Sequence, residues 1–213
     1  MPLQILVRQV GPWPMNVYLI ACEEAKTAAL IDPGADPQAI ESLVSGWCVE
    51  KILLTHGHRD HTSALRNIRR ATGAPVYIHP ADSRILRQKF DLPLIDGDRL
   101  QLGDAHVRVI HTPGHTGGSC CFDLEDGRVI VGDALFVGGP GRTNNASSFI
   151  ATMRNMREIF FHWKDDTVFF PGHGPCGCIG RERQAFEAFL LRGWPPGLHG
   201  DVTWQGDPHE EPK

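Results

Sequence analysis

The sequence predicts a single mixed α/β domain, on three observations. Short aliphatic and β-branched runs bounded by turn residues alternate with longer stretches whose apolar residues recur every three or four positions. The chain has 213 residues, 41% hydrophobic and 22% charged, which is ordinary for a soluble protein and long enough to bury one sizeable core. No repeat, low-complexity block or linker divides it, so one domain is expected over 1–193. From Trp194 the residues become polar and rich in Pro and Gly, which reads as a C-terminal tail over 194–213.

In chain order, residues 3–10, 16–22 and 27–31 read as strands, with turn chemistry at Gly11-Pro12 and around Glu23-Glu24. Asp32-Pro33-Gly34 closes the third strand. Asp36 before Pro37 reads as a helix N-cap, Ile40, Leu43 and Val44 supply the buried stripe, and Gly46 stops the helix. Ile52 to Thr55 reads as a buried strand, followed by a helix through Leu65, Ile68 and Thr72 that stops at Gly73. A strand at 75–78 and a helix at 80–90 come next. Strands at 98–102, 105–111, 119–124 and 128–132 are joined by turns such as Asp96-Gly97 and Asp126-Gly127. A helix with Phe149, Met153, Met156 and Phe160 on one face, a strand at 167–170, and a helix carrying Phe186, Phe189 and Leu190 complete the domain.

Composition excludes several classes of function. The net charge of −4 offers no general attraction to nucleic acid or an anionic membrane, and Arg66, Arg69 and Arg70 read as a solvated helix face. No basic region with an apolar core opens the chain, and no run approaches the roughly 20 apolar residues of a membrane helix. Six scattered cysteines form no disulfide framework in a chain of this size, so a reducing cytoplasm is expected.

Residues 51–62 read Lys-Ile-Leu-Leu-Thr-His-Gly-His-Arg-Asp-His-Thr. His56, His58, Asp60 and His61 arrive within six positions, on the loop leaving a strand and on the first turn of a helix. A lone histidine there would read as part of a solvated turn. Three imidazoles and a carboxylate together suit zinc and borderline first-row metals. The helical zinc-protease pattern His-Glu-x-x-His is absent from this segment.

Further single residues stand in Gly-rich settings downstream. They are His115 in Thr-Pro-Gly-His-Thr-Gly-Gly-Ser, Asp133 in Val-Ile-Val-Gly-Asp-Ala-Leu-Phe, and His173 in Phe-Phe-Pro-Gly-His-Gly-Pro. Taken singly, each has a bland reading: a turn residue, a helix N-cap and a loop histidine. Together with His-x-His-x-Asp-His after a hydrophobic strand, they resemble the metallo-β-lactamase superfamily of hydrolases. The resemblance implies an αββα sandwich of two stacked sheets with helices outside. It also implies that His56, His58 and His115 bind one metal, that Asp60, His61 and His173 bind a second, and that Asp133 bridges the two. Seven donors exceed the roughly four that one zinc takes. Asp32 would then support the metal loop from below, unless it forms an Asx-turn with its own backbone.

The chemistry implied is attack of a metal-held hydroxide on an acyl carbon, with Asp60 and Asp133 as the carboxylates that place it. Two divalent ions are expected, zinc foremost, with iron or a zinc/iron mixture as the other choices. No obvious general acid stands beside the cluster, which favours a thioester, whose thiolate leaves readily at a thiol pKa of about 8.5. Gly-Asp-Ala-Leu-Phe-Val-Gly-Gly-Pro-Gly-Arg-Thr (132–143) and Pro-Gly-His-Gly-Pro (171–175) resemble the short glyoxalase II-like proteins. Asn144 replaces the usual Asp after Gly-Arg-Thr, and no basic glutathione-binding signature is recognisable in the 40 residues after His173. The expected substrate is therefore a small acyl thioester of unspecified thiol, with no nucleic-acid or membrane partner. Persulfide dioxygenases resemble the same motifs, binding one iron through the positions of His56, His115 and Asp133. An inactive binding member of the fold is the third reading. Tyr18 is a candidate for the substrate cleft. Arg142 is a candidate for a substrate carboxylate or for a buried acid, and Cys176 and Cys178 follow His173 closely enough to touch the pocket.

Overall fold

The computed structural model describes residues 3–205. One sheet holds β1 (Gln4–Val10), β2 (Met15–Cys22), β3 (Thr27–Ile31), β4 (Cys48–Leu53), β5 (Val76–Ile78) and β6 (Leu92–Pro93), in that spatial order. The other holds β7 (Arg99–Leu102), β8 (Ala105–His111), β9 (Cys120–Asp123), β10 (Arg128–Gly132), β13 (Val168–Pro171) and β14 (Gly177–Cys178). A small hairpin, β11 (Leu135–Phe136) with β12 (Gly139–Pro140), lies apart. The helices are α1 (Pro37–Val44), α2 (Arg59–Thr62), α3 (Leu65–Thr72), α4 (Ser83–Leu86), α5 (Ala146–Glu158) and α6 (Ile179–Arg192).

Side-chain alternation explains the layering. Along β2, Val17, Leu19 and Ala21 pack in one apolar cluster with Ile40, Leu65 and Ile68 of α1 and α3, while Tyr18 and Ile20 enter another. Along β10, Val129 and Val131 join Phe149, Met153 and Phe186 of α5 and α6, while Ile130 joins Tyr18 and Ile20. The shared cluster of Ile20, Ile31, Leu53, Val109, Phe122 and Ile130 is the layer between the sheets. Strands covered on both faces read as near-continuous apolar runs, because a period of two then leaves no polar side. The result is the αββα sandwich. No helix among the described residues is long and apolar enough to cross a membrane.

Two expectations need correction and one needs refinement. The helix at 80–90 is a 3-10 turn over Pro80–Asp82 and one turn of α4, ended by Arg87 at φ 53°. Asp82 is fully buried there, its carboxylate drawn to backbone groups of two other loops. Asp36 takes the N-cap position of α1 with Pro37 after it, as the sequence predicts, but its side chain makes no capping bond. It sits at φ 49°, and its Oδ2 accepts from the Gly11 amide at 2.8 Å. The expected tail does not begin at Trp194. Trp194 stacks on Phe189, Trp204 is 1% exposed against Phe161, Phe186 and Phe189, and its amide donates to the Gly138 carbonyl at 2.8 Å. Two indoles outweigh the Pro/Gly-rich composition around them. The last part of that stretch, 206–213, lies outside the described residues.

Candidate metal centre

The parallel pairs β3–β4 and β10–β13 set four strand ends side by side, and the chain leaves those ends carrying chemistry. Asp32 follows β3, His56 and His58 follow β4, Asp133 follows β10 and His173 follows β13; His115 comes from the β8–β9 loop, and α2 supplies Asp60 and His61. These seven donors, with Asp32 beneath them, converge at one end of the sandwich.

They fall into two groups. His56 Nε2 lies 3.1 Å from His58 Nδ1, which lies 3.0 Å from His115 Nε2. His173 Nε2 lies 3.1 Å from Asp60 Oδ2, and His61 Nε2 3.8 Å from the same oxygen. Asp133 stands between the groups. Its Oδ2 is 3.6 Å from His115 Nε2 and 3.8 Å from His173 Nε2, and its Oδ1 is 3.3 Å from His61 Nε2.

Outer contacts turn the imidazoles inward. His61 Nδ1 meets Asp32 Oδ2 at 2.9 Å, His115 Nδ1 the Arg142 carbonyl at 2.8 Å, and His173 Nδ1 the Pro14 carbonyl at 3.0 Å. Each of these leaves Nε2 for the centre, the arrangement metal-binding histidines use. Asp32 also accepts from the Thr55 amide at 2.8 Å and the Thr55 hydroxyl at 2.6 Å. With both oxygens engaged, Asp32 serves as the buried support of the loop; its bonds reach across sequence and are no local Asx-turn. On this geometry Asp32→Asn is expected to weaken metal binding about 10- to 100-fold with the fold intact, measured by chelator competition.

Charge is balanced unusually. Burial lowers the pKa of His56 far below the ordinary imidazole value, with His61 adding to the effect. Burial also disfavours the charged form of His61, but Asp133 and Asp32 outweigh it and push its pKa up to about 10. Burial opposes ionisation of Asp133, yet the charge of His61, then His56 and His115, holds it well below the usual carboxylate range. Hydrogen bonding to His173 lowers Asp60, and Asp60 in turn raises His173. His61 Nε2 and Asp133 Oδ1, 3.3 Å apart, are nevertheless buried with no hydrogen bond made to either among the described residues. Orphaned acceptors and ring nitrogens facing one another at this spacing fit cations. Loading the metal-free protein with zinc at pH 8 is therefore expected to expel the His61 proton in addition to any released by metal-bound water, seen as buffer-dependent calorimetric heat.

Backbone approach is equally tight. A Cβ at Gly172 would lie 2.1 Å from Asp133 Oδ1 and 2.5 Å from His61 Cε1, so only glycine fits that wall. Two residues that sequence reasoning missed hold the loops. Asn16 Nδ2 donates to the carbonyls of Pro171 and Gly174 at 3.0 and 2.9 Å, pinning the His173 loop to β2. Asp82 accepts from the Gly57 amide at 2.8 Å and the Gly118 amide at 2.7 Å, tying the His56–His58 loop to that of His115. Neither carries a signal in sequence, since a single Asn in a strand or Asp in a turn is commonplace.

The substrate candidates stand differently. Tyr18 is buried and donates its hydroxyl to the Pro171 carbonyl at 2.6 Å, and burial raises its pKa. It is a structural residue behind the His173 loop, not a cleft residue, because the inter-sheet layer encloses its ring. Tyr18→Phe is expected to cost about 1 kcal/mol of stability and leave KM within twofold. Arg142 reaches the exposed Asp201 at 3.4 Å, a surface pair and not a buried one; its carbonyl orients His115. Cys178 donates to the Asp165 carbonyl, Cys176 is exposed, and neither is in a disulfide.

An αββα sandwich with histidine and aspartate converging on its strand ends defines a class of metal-binding protein. The Metallo-beta-lactamase superfamily model matches residues 10–202, and the chain belongs to that family. It is 36% identical to the hydroxyacylglutathione hydrolase of Rhodospirillum rubrum over 74% of this chain and 61% of that protein. It is 31% identical to hydroxyacylglutathione hydrolase GloC of Haemophilus influenzae, over 86% of this chain and 96% of the relative. Among solved structures, TTHA1623 in a di-iron-bound form aligns with TM-score 0.72 and 30% identity, over 84% of this chain and 97% of that one. ETHE1 from Myxococcus xanthus aligns with TM-score 0.69 and 29% identity, over 84% and 82%.

Proposed function

We propose that this chain is a two-metal hydrolase of a small acyl thioester. The observation that carries it is the pair of donor triads, His56–His58–His115 and Asp60–His61–His173, with Asp133 in reach of both. The similarity to two hydroxyacylglutathione hydrolases supports the reaction class, and the similarity to a di-iron protein supports the metal count. His56, His58 and His115 would hold one ion, Asp60, His61 and His173 the other, with Asp133 shared. When bound, the ions supply Lewis acidity that polarises the acyl carbonyl and brings the pKa of water towards about 7.

The protein's own part is placement and charge. Asp32, Thr55 and the carbonyls of Arg142 and Pro14 fix the imidazoles before substrate arrives, so little reorganisation is left for the reaction. Asp60, half-exposed and bonded to His173, is the carboxylate nearest solvent and can hold a proton of the attacking water. Overall, the water oxygen bonds to the acyl carbon and the C–S bond breaks with its electron pair on sulfur. Of the two water protons one ends on the thiol and the other is released to solvent, leaving carboxylate and thiol. A thiol needs no strong general acid to leave, which matches a centre flanked by acceptors. Six unpaired cysteines are in keeping with a reducing compartment such as the cytoplasm.

Metal quantification on protein purified without added metal, paired with a thioester panel including S-lactoylglutathione, tests this reading. Two ions per chain with thioester cleavage are expected. One iron with sulfite formation would replace it with the persulfide dioxygenase reading. Two ions with no cleavage of thioester, ester or lactone would leave a binding protein.

A further inference from the structure

Beside His58 lies a feature that the seven donors do not explain. α2 and the start of α3 face α4 and Arg87 across a cleft of about 870 Å³, with His58 in its wall. Arg59, Arg66, Arg84 and Arg87 line this cleft, and no carboxylate does. None of the four guanidinium groups has an ion-pair or hydrogen-bond partner among the described residues. Elsewhere Arg69 pairs with Asp91, Arg99 with Glu125, Arg128 with Asp126 and Arg183 with Asp165. Four uncompensated cations in one concavity repel one another, and they stand out in a chain of net charge −4.

The cleft is also fixed relative to the metal-binding loop. A Cβ at Gly57 would come within 2.9 Å of the Leu86 amide nitrogen, so α4 rests directly on the loop between His56 and His58. The Asp82 carboxylate, one residue before α4, holds the Gly57 amide. An anion held by these arginines would therefore sit at a set reach from His58. Guanidinium forks suit carboxylate and phosphate oxygens alike.

We propose that the cleft is the subsite for an anionic arm, carboxylate or phosphate, on the thiol half of the thioester cleaved at the adjacent centre. This rests on the hydrolase reading above. The metal-loaded full chain is assayed with one acyl group carried on pantetheine, on 4′-phosphopantetheine and on glutathione. The kcat/KM ratio of an anionic carrier to pantetheine is expected to exceed about tenfold at low salt and to shrink as salt rises. Arg84→Glu with Arg87→Glu is expected to lower that ratio at least about tenfold, through KM. Whether phosphopantetheine or glutathione shows the preference identifies the oxyanion.

Ratios near one for both anionic carriers, or a preference unchanged in the double variant, would overturn the subsite while leaving the hydrolase in place. Calorimetry with a non-hydrolysable S-alkyl phosphopantetheine and S-alkyl glutathione separates the two readings. Binding that the double variant loses, without any thioester cleavage, would retain the subsite and remove the hydrolase. Should the charge-reversed variant fail to fold by circular dichroism, Arg84→Gln with Arg87→Gln and the salt series decide the matter by the same ratios.

Discussion

Asp133→Ala is expected to cut thioester hydrolysis by more than about a thousandfold and to lower the metal content below two per chain. Losing a mere supporting partner of a metal ligand already costs about 10- to 100-fold. In the two-metal reading Asp133 would serve both ions, since it lies 3.6 Å from His115 and 3.8 Å from His173, and its loss removes the only carboxylate between the triads among the described residues. Metal analysis and initial rates on the purified variant check this; a variant retaining two ions and a tenth of the rate would refute the shared role. His58→Ala sharpens the result. His58 closes the first triad through Nδ1, so the two-metal hydrolase should lose nearly all activity. A one-iron dioxygenase held by His56, His115 and Asp133 should largely keep its own.

The difference between the two triads in sequence shows what was legible and why. His56, His58, Asp60 and His61 crowd six positions of one loop, so their residue types alone announce a metal. His115, Asp133 and His173 stand singly and became readable only through their order after that loop. The strand runs were legible because burial on both faces leaves a nearly continuous apolar run, as over 17–21 of β2 and 129–131 of β10. Short elements were not: β6, β11, β12 and β14 span two residues each, below the length at which any period shows. Tyr18 and Arg142 could not be placed from sequence, because an aromatic or an arginine near a motif says nothing of where its side chain points. Trp204 misled, since composition averaged over a Pro/Gly-rich stretch hides one large apolar anchor.

Asp82 is the clearest case of a residue invisible in sequence and large in effect. Asp82→Ala is expected to cost roughly 3–5 kcal/mol of stability, because two buried amides, Gly57 and Gly118, lose a charged acceptor together. Asp82→Asn should cost less, since one carbonyl oxygen can still accept from one amide while its NH₂ faces the other. Glycine at 118 is part of the same contact, as a Cβ there would stand 2.8 Å from the Asp82 carboxyl. Urea denaturation of the metal-free protein reads the stability, and chelator competition reads the metal. The first triad should weaken more than the second, because Asp82 ties the His56–His58 loop to that of His115 and touches none of Asp60, His61 or His173. Equal weakening of both ions, or a loss of stability under about 1 kcal/mol, would show that the two loops hold their positions without it.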